Sequence, residues 1–154
     1  MKNTVINQQI QGFLSDPDMI ASLANISSVI YYGYSDLNWA GFYFVKGGQL
    51  IVGPFQGKPA CTPIPFTKGV CGRCYREKAV QRIDDVIAVK DHIACDSASR
   101  SELCVPVIVN GEMVMEIDLD SPVASRFDDD FEKEMLKAAD DIASAYLQHN
   151  WHMD

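Results

Sequence analysis

The pair Asn110-Gly111 constrains the fold most, because it is the strongest two-residue turn signal in the chain. Apolar, β-prone runs flank it at residues 103–109 and 113–119. An Asn-Gly turn matches the twist of two paired strands, so the pattern predicts an antiparallel hairpin.

The return strand of this hairpin carries carboxylates on one face. Glu116, Asp118 and Asp120 alternate with Ile117 and Leu119, and successive strand residues point to opposite faces of a sheet. An exposed sheet face would explain three acids in a row. Like charges so close are otherwise costly, unless water, a cation or a bound ligand offsets them.

Apolar residues at helical spacing mark both ends of the chain. Residues 4–33 are predicted as two helices that separate at Asp16-Pro17-Asp18, with Asp16 capping the second. Residues 128–148 are predicted as one long helix, capped by Ser125 or Asp128.

The middle of the chain, residues 38–122, is predicted to hold the sheet and its loops. A first hairpin spans residues 39–53, and Gly41 between Trp39 and Tyr43 leaves an aromatic-walled notch on one face. Core packing is the favoured explanation of this pattern, and a seat for a ligand is the alternative. Residues 53–66 are rich in Gly and Pro, which predicts a long irregular loop of the functional kind. A short helix at residues 68–78 follows.

This order of elements predicts one α+β domain over residues 1–154, with the terminal helices on one face of an antiparallel sheet and a pocket under loops on the other. The net charge of −8 argues against nucleic acid as a partner. The sequence shows no signal peptide and no apolar run near the roughly 18 residues of a membrane span. We therefore expect a cytoplasmic protein, in which disulfides are transient and catalytic.

Five cysteines lie in the middle third of the chain: Cys61, Cys71, Cys74, Cys95 and Cys104. A zinc site on Cys71 and Cys74 would need Cys61 and Cys95 as further ligands, since no second pair of that spacing and no His pair accompany them. A thioredoxin-type pair lacks its βαβ context. The third hypothesis is peroxide or sulfoxide reduction at one thiol, which another resolves as a disulfide.

These cysteines differ in their predicted surroundings. Cys95 lies in the polar loop 91–102 and Cys61 in the Gly- and Pro-rich loop. Cys71 lies in the first turn of the short helix, whose N-terminus would lower the pKa of its thiol. Cys104 lies in an apolar strand and is predicted to be inert core.

A series of motifs runs in order between residues 39 and 127. They are Trp39-Ala40-Gly41-Phe42-Tyr43, Gly53-Pro54-Phe55-Gln56-Gly57-Lys58, Ala60-Cys61, Gly69-Val70-Cys71-Gly72, His92-Ile93-Ala94-Cys95-Asp96, Ser99, Ser101-Glu102 and Asp118-Leu119-Asp120-Ser121. Together they resemble the free methionine-(R)-sulfoxide reductases, which have the GAF-domain fold. The resemblance implies reduction of the R epimer of free methionine sulfoxide. It also implies that thioredoxin regenerates the thiols, while NADPH acts only indirectly.

The resemblance also implies roles for individual residues. Cys95 is the expected nucleophile and Cys61 and Cys71 are candidate resolving thiols, while Cys71 as nucleophile stays an alternative. Trp39 and Tyr43 would form a wall against the substrate methyl group. The groups expected to bind the sulfoxide oxygen and the ammonium group are Glu102, Asp118 and Asp120. Clustered carboxyls could keep one proton among them, and a sulfoxide needs that proton before a thiolate attacks.

Three features depart from the family pattern. Cys74 and Cys104 are additional thiols, and Cys74 is a competing resolving partner one helical turn from Cys71. Glu116 replaces a small apolar residue, either at the surface or at the pocket edge. The contrasting function is a GAF sensory module that binds a small metabolite without catalysis. We expect no bound cofactor or metal, no membrane contact, and a homodimer paired through the helices.

Overall fold

The computed structural model of the protein describes residues 4–89 and 95–153. Five antiparallel strands form one sheet in the order β2-β1-β5-β4-β3. The strands are β1 (Trp39–Lys46), β2 (Gln49–Gly57), β3 (Gln81–Ile83), β4 (Ser101–Val109) and β5 (Glu112–Ser121). The predicted loop segment at residues 90–94 lies outside the described residues.

Four helices accompany the sheet: α1 (Thr4–Phe13), α2 (Met19–Gly33), α3 (Gly69–Glu77) and α4 (Asp129–Gln148). Within the described ranges, no helix combines the length and apolarity that a membrane crossing requires. The predicted cap of α2 was wrong, because the side chain of Asp18, and not that of Asp16, accepts the hydrogen bond from the Ala21 N–H. Asp16 instead accepts from the Asp18 N–H in the preceding turn. The cap of α4 is Asp128.

The terminal helices α2 and α4 cover one face of the sheet, as predicted, whereas α1 packs against these two helices. The sheet contributes alternate apolar residues to this core, for example Phe42, Leu103, Ile117 and Leu119, all fully buried. Because side chains alternate along a strand, the remaining positions of β1, β4 and β5 face the other side. The helix α3 packs there against β3, β4 and β5, so that second face is also covered.

The β4–β5 hairpin turns at Asn110-Gly111, as the sequence predicts, and both residues have positive φ, of 52° and 82°. Its register pairs Glu102 with Asp120 and Cys104 with Asp118. Since directly paired residues share a face of the sheet, four polar side chains are set next to one another beneath α3.

The strand β2 is longer than predicted, because it continues through Pro54 to Gly57. A proline cannot donate to a neighbouring strand and is therefore tolerated only at a sheet edge or a bulge. β2 is an edge strand, and its pairing with β1 shifts register between Gly41 and Tyr43. The irregular segment that follows is thus confined to residues 58–66.

Candidate active site

A pocket opens on the α3 side of the sheet, under residues 58–66. It brings together all the predicted site residues except Cys61, namely Trp39, Tyr43, Cys71, Cys95, Glu102, Asp118 and Asp120. Its empty volume, which includes open solvent at the mouth, is about 560 Å³.

The carboxyl groups of the pocket come from the paired strands β4 and β5. Glu102 and Asp118 are each only 6% exposed. Burial, followed by the charges of Asp118 and Asp120, raises the pKa of Glu102 well above its ordinary value. Burial and the charge of Asp118 likewise raise the pKa of Asp120, against the hydrogen bond that Ser99 donates to it. The cluster therefore holds protons at a pH where isolated carboxyls are ionised.

Two aromatic residues join the pocket wall to the loop above it. The Trp39 indole N–H donates to the Lys58 carbonyl at 3.1 Å, and the Tyr43 hydroxyl donates to the Cys61 carbonyl at 2.8 Å. Both rings are almost completely buried. The pair therefore provides an apolar wall and also fixes the position of the segment that carries Cys61.

Core packing fills the space beside Gly41, as the favoured explanation of the pattern predicted, so only the alternative of a seat for a ligand was wrong. A Cβ atom on Gly41 would lie 2.3 Å from the Phe55 Cβ and 2.7 Å from the Pro54 carbonyl oxygen. The glycine therefore makes room for the edge strand β2 rather than for a ligand. Phe55 in turn stacks on Trp39, with ring centroids 5.0 Å apart, and supports that ring in the pocket wall.

Cys61 and Cys95 form a disulfide, with their Cα atoms 5.6 Å apart. Cys95 is exposed at the pocket mouth, and Cys61 is half-buried. The structure thus joins the expected nucleophile to one of its two candidate resolving thiols.

Cys71 lies deeper, near the start of α3, and is a free buried thiol. The hydrogen bond from Cys104 lowers its pKa, but burial and the charges of Asp118 and Glu116 outweigh that effect, so the pKa is raised well above its ordinary value. The predicted lowering by the helix N-terminus was therefore wrong. Because the thiolate is the nucleophile in such chemistry, this environment disfavours Cys71 as the attacking group.

A hydrogen-bond network that the sequence did not reveal holds the segment next to Cys95. The Asn38 amide donates to the Asp96 carboxylate and to the Ser99 hydroxyl, each at 3.0 Å. The Ser99 hydroxyl donates to Asp120 at 2.9 Å. The backbone N–H of Ala98, followed by the Asn38 amide, lowers the pKa of Asp96. The only available signal was the position of Asn38 immediately before Trp39.

Comparisons with known proteins identify the fold and the family. The family model described as GAF domain matches residues 20–146. The free methionine-R-sulfoxide reductase of Escherichia coli is 45% identical over 118 residues, which cover 77% of this chain and 72% of the relative. The chain belongs to the free methionine-R-sulfoxide reductase family.

Two further members of this reductase family match over most of the chain. The free methionine-R-sulfoxide reductase of Saccharomyces cerevisiae is 40% identical over 148 residues, which cover 88% of this chain and 82% of the relative. The solved structure of the Neisseria meningitidis reductase in complex with its substrate has a TM-score of 0.90 and 34% identity, covering 94% of this chain and 88% of that one. The predicted α+β GAF fold and the predicted family are both confirmed.

The residues that depart from the family pattern do not lie at the surface of this protein. Glu116, Cys74 and Cys104 are all fully buried. The surface interpretation of Glu116 was therefore wrong, since α3 covers this part of the sheet. Cys104 is buried as predicted, but its thiol lies 3.2 Å from an Asp118 oxygen and 3.6 Å from the Cys71 thiol. The prediction of a core cysteine is therefore confirmed, and polar groups adjoin its thiol within that core.

Replacing Glu116 with methionine is expected to stabilise the protein. Neither carboxylate oxygen of Glu116 has a hydrogen-bond partner among residues 4–89 and 95–153, and such a buried group costs about 1–3 kcal/mol. Each 1 kcal/mol corresponds to about 2–4 °C in Tm for a chain of this size. Burial, followed by the charge of Asp118, raises the pKa of Glu116. The wild-type protein therefore loses stability as the pH rises from about 4.3 toward that raised value, and the variant's advantage grows.

Thermal melts of the reduced protein between about pH 5 and about pH 8 would measure this effect, with a chelator present. The matched control is Glu112→Met, on the same strand but exposed, which is expected to change Tm little. A lower Tm for Glu116→Met than for the wild type near pH 8 would show that the buried carboxylate stabilises the fold.

Proposed function

We propose that this protein reduces the R epimer of free methionine sulfoxide to methionine. The observation that carries the proposal is one pocket in which Cys95 lies with two carboxyl groups of raised pKa, the buried Glu102 and the half-buried Asp120. A thiol and a nearby acid are the two groups that sulfoxide reduction requires, because the oxygen must leave as water.

In the proposed first step, the Cys95 thiolate attacks the sulfoxide sulfur while a carboxyl of the Glu102 and Asp120 pair protonates the oxygen. Transfer of the oxygen to the thiol releases methionine and leaves a sulfenic acid on Cys95. The sulfenic acid then condenses with a second thiol, which forms a disulfide and releases water. One sulfoxide and two thiols thus yield one sulfide, one disulfide and one water.

Cys61 is the proposed resolving thiol. Its disulfide with Cys95 supports this role, and the Tyr43 hydrogen bond to its carbonyl holds it there. Cys71 remains the alternative resolving thiol, because it lines the same pocket. Cys74, the competing resolving partner, is fully buried. Burial, followed by the charge of Glu116, raises the pKa of its thiol.

We also propose how the substrate is held. The ring of Trp39, which stacks against those of Tyr43 and Phe55, offers an apolar wall for the methyl group. Asp118 offers negative charge for the ammonium group, and a protonated carboxyl of the Glu102 and Asp120 pair would donate a hydrogen bond to the sulfoxide oxygen. Opposite placement of an apolar wall and an acidic wall would distinguish the two epimers, whose methyl and oxygen positions are exchanged.

Thioredoxin is the proposed reductant, with NADPH as the ultimate electron source in the cytoplasm. The exposure of Cys95 supports this, since a protein thiol must reach one sulfur of the disulfide. The proposal also includes a homodimer paired through the helices, for which the exposed Tyr32 and Ile20 on α2 are candidate contacts.

The deciding experiment is a coupled assay with purified protein, thioredoxin, thioredoxin reductase and NADPH. We expect NADPH oxidation with the R epimer of free methionine sulfoxide, and at least about 100-fold slower oxidation with the S epimer or with a peptide-bound sulfoxide. Absence of turnover, with tight binding of another small metabolite, would instead favour the sensory module.

A further inference from the structure

A cluster of two thiols and two carboxyl groups lies at the floor of the pocket. One ligand atom from each of Cys71, Glu102, Cys104 and Asp118 lies within 4.8 Å of all the others, and all four residues are buried. Cys104 and Glu102 extend from β4, Asp118 from the paired position on β5, and Cys71 from α3 above them. Three packed elements therefore hold the four side chains in place.

Several distances within this cluster are close to the ligand–ligand distances of a tetrahedral zinc site. Zinc with Zn–S near 2.3 Å and Zn–O near 2.0 Å places two sulfur ligands about 3.8 Å apart, and sulfur and oxygen about 3.5 Å apart. The Cys71 and Cys104 sulfurs are 3.6 Å apart. The Cys71 sulfur lies 3.5 Å from Asp118 Oδ2, and the Cys104 sulfur lies 3.2 Å from Asp118 Oδ1. The same two sulfurs lie 3.9 and 3.5 Å from Glu102 Oε2.

Glu116 is a second and independent indication of a cation. It is fully buried and neither of its carboxylate oxygens has a hydrogen-bond partner in the described part of the chain. Buried acids without partners are costly unless a cation offsets them. Glu116 lies on the same face of β5 as Asp118, two residues along the strand, so a cation held by the cluster would be close to it.

We propose that the reduced protein binds one zinc ion at the floor of the pocket. Its four ligands are Cys71, Glu102, Cys104 and Asp118. Two thiolates with two carboxylates form a donor set that suits zinc, and zinc binding would displace the protons that the cluster otherwise holds. The site differs from the sequence-based zinc hypothesis, because Cys104 takes part and Cys61 and Cys95 do not.

This site would also regulate the enzyme. Glu102 and Asp118 belong to the wall assigned to the substrate, so zinc and methionine sulfoxide exclude each other; this consequence rests on the proposed function. Zinc at Cys71 would also prevent that thiol from acting as a resolving partner. A protein with zinc bound is therefore expected to be inactive until the metal is removed.

Zinc binding can be measured directly, without turnover, by competition with a chromophoric chelator on fully reduced protein. We expect one zinc per chain, proton release on binding, and a thiolate-to-metal charge-transfer band when cobalt(II) replaces zinc. Cys104→Ala is expected to weaken binding at least about 100-fold, since even outer partners of a ligand contribute 10–100-fold. The matched control Cys74→Ala, fully buried on α3 but outside the four ligands, is expected to retain the affinity and the band.

Asp118→Asn provides a second test if Cys104→Ala does not fold. Equal weakening by Cys74→Ala and Cys104→Ala, or zinc binding that requires Cys95, would overturn the assignment. Binding of no zinc by the reduced wild-type protein would do the same. In the turnover assay, zinc should inhibit the wild type and inhibit Cys104→Ala much less. Zinc binding without any turnover would leave the metal site standing and remove only the proposed function.

Discussion

A Cys95→Ser protein is expected to release no methionine from free methionine (R)-sulfoxide, with a loss in kcat of at least about 10⁴-fold. The reason is chemical, because a hydroxyl cannot accept the sulfoxide oxygen as a thiol does. Cys95 is exposed at the pocket mouth, whereas Cys71 is a buried thiol of raised pKa. The environment of Cys95 is therefore the one that allows both substrate access and later reduction.

The measurement is a single-turnover experiment on reduced protein with excess substrate and no reductant. The wild type should release about one methionine per chain and lose two thiols. Cys61→Ser should still release methionine, because it retains the attacking thiol. With Cys71 replaced by serine as well, the sulfenic acid on Cys95 should persist and react with a sulfenic-acid trap.

Cys74→Ser is the control for loss of a cysteine as such, since Cys74 does not line the pocket. It should retain the methionine burst. A full burst from Cys95→Ser, together with its loss in Cys71→Ser, would move the nucleophile to Cys71. That outcome would mean that substrate binding offsets the rise in the pKa of the Cys71 thiol that burial and the nearby acids cause.

The placement of the acids could be predicted, because it depends on local sequence alone. The turn at Asn110-Gly111 sets the register of β4 against β5, and alternation along each strand decides which side chains share a face. The pairing of Glu102 with Asp120 follows from these two rules. The terminal helices were equally predictable, since their apolar spacing is regular over many residues.

The polar floor of the pocket could not be predicted, because it depends on contacts distant in sequence. Whether Glu116 is exposed depends on how α3 packs over the sheet, and no periodicity within β5 contains that information. The proximity of Cys71 to Cys104 likewise joins residues 33 positions apart. The contact at Gly41 could not be predicted for the same reason. Phe55 fills the apparent notch because of the path of the edge strand β2, which the local sequence does not determine.

Replacing Glu102 with glutamine is expected to lower kcat/KM by about 10²–10⁴-fold, the usual contribution of a positioned general acid. Burial and the neighbouring acids Asp118 and Asp120 raise the pKa of Glu102, so its carboxyl stays protonated above the ordinary carboxyl range. Activity of the wild type should therefore persist at neutral pH and fall as the pH rises through the raised pKa.

The pH profile of the Glu102→Gln variant tests this assignment. The variant should lose or shift the alkaline limb of the profile, which belongs to the Glu102 and Asp120 pair as a unit. The exposed Glu112→Gln on the same hairpin should keep the wild-type profile. If Glu102→Gln retained both the wild-type rate and the alkaline limb, Glu102 would not be the proton source. The raised pKa of Asp120 would then make that residue the acid, and Asp120→Asn should remove the limb instead.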